Sequence, residues 1–411
     1  MTRTEIQKDL STKFKFNKQM KKIIAIAVAV AAVTACNKSE PAPGVEGQKQ
    51  QLNILTSVST SRAVVAGTTM PQGSAIGVHV TQGTGPATAY EGQNYVAGGA
   101  NLENGQNVRF DNTSNASEWV SEEVGGTAKY LMIGAEEGTV YGYYPYAATV
   151  TGVGADATIP AAVLASGNID LTSATAASKN YDATETDYLY YKPAAARATV
   201  KSTASTTAPL TMAHAMASVS FRMYVSKDAP VVNDGDANYY LMGYTIKNKQ
   251  SKTLFCADNT NVTMKIADGT LTIPNTGGEI TRTLNSSNGY ALTRVAAANA
   301  DDSEKDNMVW FGNLTFPIAA ITHSTVNGVA VSDDIEIVFS IKKGLNGSAA
   351  NYVVPLVVKT GNSDANLDSD KWLAGKNYQY TIKVNAFLAL GIEQVTVTDW
   401  VDVVGGDITI E

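Results

Sequence analysis

The run Asp364-Ala365-Asn366-Leu367-Asp368-Ser369-Asp370 places an oxygen donor at nearly every second position, the alternation with which a calcium loop gathers about six to eight oxygens around a hard cation. It has Ser369 where such a loop needs glycine, and Gly375 where it needs a bidentate carboxylate. The run is therefore expected to be a polar turn ahead of Trp372, with a cation held by Asp364, Asn366, Asp368 and Asp370 as the weaker alternative. The three histidines, His79, His214 and His323, fall in separate segments, and each is expected to be a satisfied core or sheet-edge histidine. No G-x-S-x-G, H-E-x-x-H, phosphate-loop or C-x-x-C pattern occurs, and Gly152-Val153-Gly154 lacks the third glycine of a dinucleotide loop. The carboxylates have no spacing that sets up an acid against a base, so neither catalysis nor a cofactor is expected. Tyr141, Tyr143, Tyr144 and Tyr146 could stack a sugar ring, but alternate residues of a strand face the core, so two of them are expected inside.

One cysteine has chemistry of a different kind. Lys21-Lys22 precede an uncharged apolar run, Ile23–Val33, which leads into Thr34-Ala35-Cys36. As a helix, Ile23–Ala35 reaches about 20 Å, short of a bilayer core of about 30 Å and suited to the core of a signal peptide. Val33-Thr34-Ala35-Cys36 resembles the bacterial lipobox, in which the cysteine thiol is alkylated with diacylglycerol before the leader is cut away. Cys36 then becomes the first residue of the exported chain, its acyl chains held in the membrane by about 0.8 kcal/mol per buried methylene. Translation is expected to start at Met20, which makes residues 1–35 an upstream extension and signal peptide. Residues 36–50 contain proline and glycine without periodicity and read as a tether. Cys256, the other cysteine, is expected to be a buried, inert thiol.

The elements that must position these groups are strands. The chain has 34 glycines and 12 prolines, is 44% apolar and only 17% charged, and carries a net charge of −7, which excludes a basic nucleic-acid binder. Two cysteines are too few for a disulfide framework. Val219–Val225, Ile335–Ile341 and Tyr378–Val384 alternate apolar and polar residues, as antiparallel strands with one wet face do. Met264–Ala267 and Thr270–Ile273 flank Asp268-Gly269, a predicted hairpin with a two-residue turn of positive φ. Short helical turns are predicted at Ser59–Val65 and Ala291–Ala300. The low-complexity stretch Lys192–Pro209 is the expected domain boundary, and it divides the folded part into residues 51–200 and 201–411. The fold class expected is all-β, built from β-sandwiches.

A set of short motifs resembles the fimbrillins of Bacteroidetes. They run in order from Gly73-Ser74-Ala75-Ile76-Gly77-Val78-His79-Val80, through Asn107-Val108-Arg109-Phe110 and Trp119, to Val140-Tyr141-Gly142-Tyr143-Tyr144-Pro145-Tyr146 and Asp187-Tyr188-Leu189-Tyr190. Met212-Ala213-His214-Ala215-Met216-Ala217-Ser218-Val219-Ser220-Phe221 is similar to the family's H-A-(M/L)-A-x-(V/L)-x-F strand. Leu314–Ile318, Trp372–Ile382 and Val395–Trp400 follow in the family's order.

The resemblance implies two tandem transthyretin-like antiparallel β-sandwich domains behind a lipoprotein signal peptide. It also implies anchorage in the outer membrane through Cys36, trimming by an arginine-specific protease, and assembly with other fimbrial subunits into an adhesive pilus by strand exchange. Arg62 is the only arginine between Cys36 and residue 108, and it closes the strand-like segment Gln51–Ser61, so Arg62-Ala63 is the expected scissile bond and 51–62 the removable strand. Val395–Val404 and Asp407–Glu411, hinged at Gly405-Gly406, are the candidate donor strand, and closure of the chain's own C-terminal sandwich is an equal alternative. The competing function is a surface glycan-binding lipoprotein that does not polymerise.

Overall fold

Alternating Val, Ile, Tyr, Phe and Thr make strands along the whole chain, and a single turn of 3-10 helix at Gly154–Asp156 is the one helical element among the described residues. The computed structural model describes residues 50–58, 70–82, 95–96, 107–112, 119–121, 123–124, 127–176, 179–227, 229–231, 238–285, 288–294, 308–361, 368–385 and 390–399. The chain divides into two compact units, Met1–Gly47 and Gln48–Glu411, and every described residue belongs to the second.

Within that unit an eight-stranded sheet runs in the order β2 (Asn53–Val58), β16 (Thr207–His214), β14 (Leu189–Tyr191), β10 (Gly138–Tyr144), β3 (Ala75–Gln82), β5 (Val108–Asp111) and β6 (Val120–Ser121), with β15 (Thr199–Val200) also on β10. Ile76, Val78 and Val80 on β3 alternate with polar or small residues and join Phe110, Val140, Leu189 and Leu210 in a core on one face. Tyr141, Tyr143 and Tyr188 pack into a second core with the C-terminal strands.

That second core lies mainly between two further sheets. One has seven strands: β12 (Ser166–Ile169), β21 (Glu279–Leu284), β18 (Tyr239–Asn248), β25 (Val329–Lys343) and β24 (His323–Val326) in line, β22 (Tyr290–Leu292) on β18, and β26 (Ala349–Val357) on β25. The other has five, in the order β13 (Lys179–Asn180), β23 (Trp310–Thr315), β17 (Ala217–Val225), β27 (Lys376–Val384) and β28 (Leu390–Asp399). Across the sandwich the Phe221 ring lies 5.0 Å from Tyr244 and 5.5 Å from Phe339. Each such pair contributes about 0.5–1.5 kcal/mol beyond its buried area. Three small sheets complete the unit: β1 (Gln50–Gln51) with β9 (Met132–Ile133), β4 (Tyr95–Val96) with β8 (Thr127–Tyr130) and β7 (Glu123–Val124), and β11 (Thr158–Pro160) with β19 (Thr263–Lys265) and β20 (Leu271–Thr272).

Several details depart from the sequence expectation. β17 is buried on both faces, because Ser218 and Ser220, which turn away from the aromatic core, are covered and donate to Asn377 Oδ1 at 3.1 Å each. The pairs β2·β16, β12·β21, β13·β23 and β17·β27 are parallel, so the sheets are mixed. The predicted hairpin at Asp268-Gly269 exists with a longer turn. Ile266 leaves the ladder to bury itself and its N–H donates to Ala157 O at 3.0 Å, while Asp268 Oδ1 accepts the Thr270 N–H at 2.9 Å and Gly269 alone takes a positive φ of 72°. Ala291 and Leu292 lie in strand β22, whereas 295–300 and the other predicted helical turn lie outside the described residues. The H-A-M-A motif is two strands: His214 ends β16 in one sheet and Ala217 begins β17 in another, with Ala215 and Met216 buried at the corner. Pairing crosses residue 200 in both directions, since β11, β12 and β13 pair with C-terminal strands and β16 closes onto the N-terminal sheet.

The strap that joins the sheets, Asp182–Asp187, is fastened by its carboxylates. Glu185 Oε1 accepts from Arg282 Nε at 3.0 Å, and its Oε2 accepts from the Leu314 N–H at 2.8 Å. Arg282 also donates to the carbonyls of Leu164 and Thr281, each at 2.9 Å, so both ions have partners although their side chains are almost wholly buried. Burial pushes the Glu185 carboxyl up to about 7 against the pull of the Arg282 charge. Replacing Arg282 by methionine strands a buried carboxyl and is expected to cost about 3 kcal/mol or more in denaturant unfolding. A loss below about 1 kcal/mol would show that the guanidinium does not hold the strap.

Candidate functional site

Leu52, Ile54 and Val58 alternate with Gln51, Asn53, Leu55 and Ser57, and a strand of that pattern can bury one row only by lying on an apolar surface. It finds that surface at the outer edge of β16. β1 first pairs antiparallel with β9, Gln50 opposite Ile133 and Gln51 opposite Met132. Leu52 N–H donates to Leu131 O and Asn53 N–H to Thr206 O, both at 2.8 Å, so the chain changes partner between these two residues. β2 then runs parallel to β16 from the pair Asn53 and Thr207 to the pair Val58 and Met212.

The seat is a groove. Leu52, Ile54 and Val58 are almost fully buried among residues that include Leu131, Ile133, Ala208, Leu210 and Met212. Thr56, the third residue of the inward row, is half-buried, and its Oγ1 accepts a hydrogen bond from the Trp119 indole Nε1 at 2.9 Å. On the outer side Leu55 is exposed, and the Ser57 and Thr211 hydroxyls lie 3.3 Å apart.

The wall of the groove is fixed from behind. β16 pairs antiparallel with β14, His214 opposite Leu189, and the Lys192 N–H donates to Thr211 O at 2.9 Å. At the end of β16, His214 Nδ1 lies 2.8 Å from Asp187 Oδ2, and both side chains are buried. On β3, Gly77 leaves room for the ring of its cross-strand partner Tyr143, whose hydroxyl donates to Ala147 O at 3.1 Å.

At the other end of the chain, β28 is an edge strand paired antiparallel with β27, from Asp399 opposite Lys376 to Leu390 opposite Val384. Val395 and Val397 are buried in that sandwich, so the first part of the candidate donor run is paired within its own chain. The remainder, 400–411, lies outside the described residues, as do Cys36, Arg62 and Ala63.

Asp364 and Asn366 also lie outside the described residues. Asp368 is buried, and Asp370 Oδ1 lies 4.0 Å from Lys371 Nζ. No three metal-binding side chains gather anywhere among the described residues. His79 is buried and its Nε2 accepts the Gly154 N–H at 3.3 Å, whereas His323 is exposed on β24. Tyr141 and Tyr143 are buried while Tyr144 and Tyr146 are half-buried, as strand alternation requires. Cys256 is buried and its thiol is pushed up by that burial. A cavity of about 300 Å³ lies between Tyr190 and the Asp268–Leu271 turn.

Two parts of the site escaped sequence reasoning. Thr207–Met212, the groove wall, falls partly in the low-complexity stretch taken as a boundary, and Pro209 within it argues against a central strand. The Trp119 to Thr56 hydrogen bond joins residues 63 positions apart and leaves no local signal. Truncating Ile54 to alanine is expected to cost about 2–4 kcal/mol and to speed amide exchange in Asn53–Val58 more than in β3. Unchanged protection of Asn53–Val58 in that variant would show that the groove does not retain the strand.

A family model described as Fimbrillin-like matches residues 61–400, and one described as a prokaryotic membrane lipoprotein lipid attachment site matches residues 20–37. No curated protein matches the chain. Among solved structures, it is similar to a cell adhesion protein of Bacteroides uniformis at 17% identity and a TM-score of 0.43, covering 85% of this chain and 99% of the other. It is similar to a fimbrial protein of Bacteroides vulgatus at 13% identity and a TM-score of 0.42, covering 85% and 99%. A polysaccharide-binding protein of Bacteroides thetaiotaomicron is similar at 10% identity and a TM-score of 0.35, covering 85% and 96%.

Proposed function

Because the chain belongs to the fimbrillin-like family, we propose that it is a structural pilus subunit that polymerises by donor-strand exchange and does no chemistry of its own. The observation that carries this reading is the seat of Gln50–Val58, a short N-terminal segment lying in an apolar groove at a sheet edge. Such a segment is removable in a way that a central strand is not. Its departure bares the β16 edge from Thr207 to Met212 and an apolar cleft, and a strand from a neighbouring subunit satisfies both at once.

The remaining parts follow in order of export. Cys36 receives the lipid and holds the subunit at the outer membrane, and residues 37–49 tether the folded part to it. An arginine-specific protease cuts between Arg62 and Ala63, just beyond β2, and so separates the strand from the rest of the fold. The folded part consists of two sandwich domains meeting near residue 200, with strands exchanged across the boundary. The partners are other fimbrial subunits, and the assembled fimbrium serves adhesion.

An Arg62→Ala variant is expected to remain lipidated and monomeric on cells, while the parent forms filaments visible by electron microscopy of sheared material. Heat-resistant ladders on a denaturing gel from the Arg62→Ala strain would refute cleavage at this bond as the trigger.

A further inference from the structure

Within the groove the inward row of the resident strand reads Leu52, Ile54, Thr56, Val58, three apolar side chains and one hydroxyl. The hydroxyl is matched by a fixed donor. Trp119 is only 9% exposed, it stands immediately before β6, and its indole N–H has Thr56 Oγ1 as its partner at 2.9 Å. An indole nitrogen only donates, so a strand that brings no acceptor to that point leaves this part-buried donor without its protein partner.

We propose that Trp119 sets the register of the strand the groove accepts, selecting a strand whose inward row is apolar, apolar, hydroxyl-bearing, apolar at alternate positions. The inference rests on the strand-exchange reading and names the chemistry of the incoming segment. Alternation alone chooses which face of a strand turns inward, because a slip of one residue exchanges the rows. It does not distinguish a slip of two residues, which keeps an apolar row inside. With Trp119 in place, that slip puts Ile54 or Val58 where Thr56 stands, against a donor that neither side chain can satisfy. The polar contact thus fixes the axial position that apolar packing leaves open.

The test uses the full chain cut after Arg62 with an arginine-specific protease and labelled peptides of residues 50–58, with occupancy read by fluorescence anisotropy. The parent peptide and its Thr56→Ser form are expected to enter. The Thr56→Val form, nearly isosteric and a better strand former, is expected to bind about tenfold or more weakly. Trp119→Phe, which keeps an aromatic ring but removes the donor, is expected to abolish that difference. Equal entry of the Thr56→Val and parent peptides into the Trp119 protein would overturn the register assignment while leaving strand exchange intact. Entry of no peptide at all would refute strand exchange itself, and the register assignment with it.

Discussion

A sheet margin at β16 that must be covered by another strand is the constraint on which the N-terminal half is organised. β16 is paired with β14 on one side, and its other side from Thr207 to Met212 carries backbone groups and an apolar margin that only another strand can cover. The chain covers it with β2. The cover is economical, since Leu52, Ile54 and Val58 supply the buried row and Thr56 meets the one fixed donor. The rest of the groove is contributed by β16, β9 and Trp119 ahead of β6.

The wall of that groove is tied to the rest of the fold by the strap at Asp182–Asp187. Three carboxylates in six residues would be an unusual choice for a buried connection, and each has a partner on another element, Asp182 Oδ2 accepting the Asn168 N–H of β12. Asp182 Oδ1 accepts from the Thr184 N–H at 2.8 Å and closes a local turn; Glu185 binds Arg282 of β21 and the Leu314 amide of β23; Asp187 binds His214 at the end of β16. The last two links connect the groove wall to the C-terminal sandwich, whose core around Phe221, Tyr244 and Phe339 is closed by long strands. A wall secured in this way would need little rearrangement for the strand exchange proposed above, since preorganisation of that kind lowers the cost of accepting another strand.

Much of this was legible in the sequence, in a graded way. Period-two runs such as Ile335–Ile341 and Tyr378–Val384 read directly as strands, because burial on one face imposes the alternation. The strand Asn53–Val58 was legible for the same reason. Its partner was not: Thr207–Met212 contains proline and belongs to a stretch of Ser, Thr and Ala that looks like a linker, and parallel pairing over some 150 residues of sequence leaves no local trace. The H-A-M-A motif resembles a single strand of the family, and since Ala215 and Met216 continue its apolar run, nothing local in the sequence registers the change of sheet between His214 and Ala217. Glu185 and Arg282 were invisible for a related reason, since a buried ion pair between distant segments looks in sequence like two solvated charges.

The location of Arg62 acquires a physical meaning from the geometry of β2. While the chain is continuous, the strand is tied to the groove through the short segment that follows Val58, and a tether of that length sustains an effective concentration on the order of millimolar. Under that condition three buried side chains and one ladder suffice to keep the seat filled. Cutting after Arg62, as proposed, leaves all of those contacts untouched and removes only the tether on the groove side. Retention then depends on true concentration, and under the lipid anchorage proposed at Cys36 the cut strand stays with the anchor while the groove stays with the fold. The proposed cut therefore need not weaken any contact to free the site. It would convert an intramolecular pairing into a bimolecular one, and on the proposed strand-exchange reading a strand carried by a folded neighbour would then compete for the groove on equal or better terms.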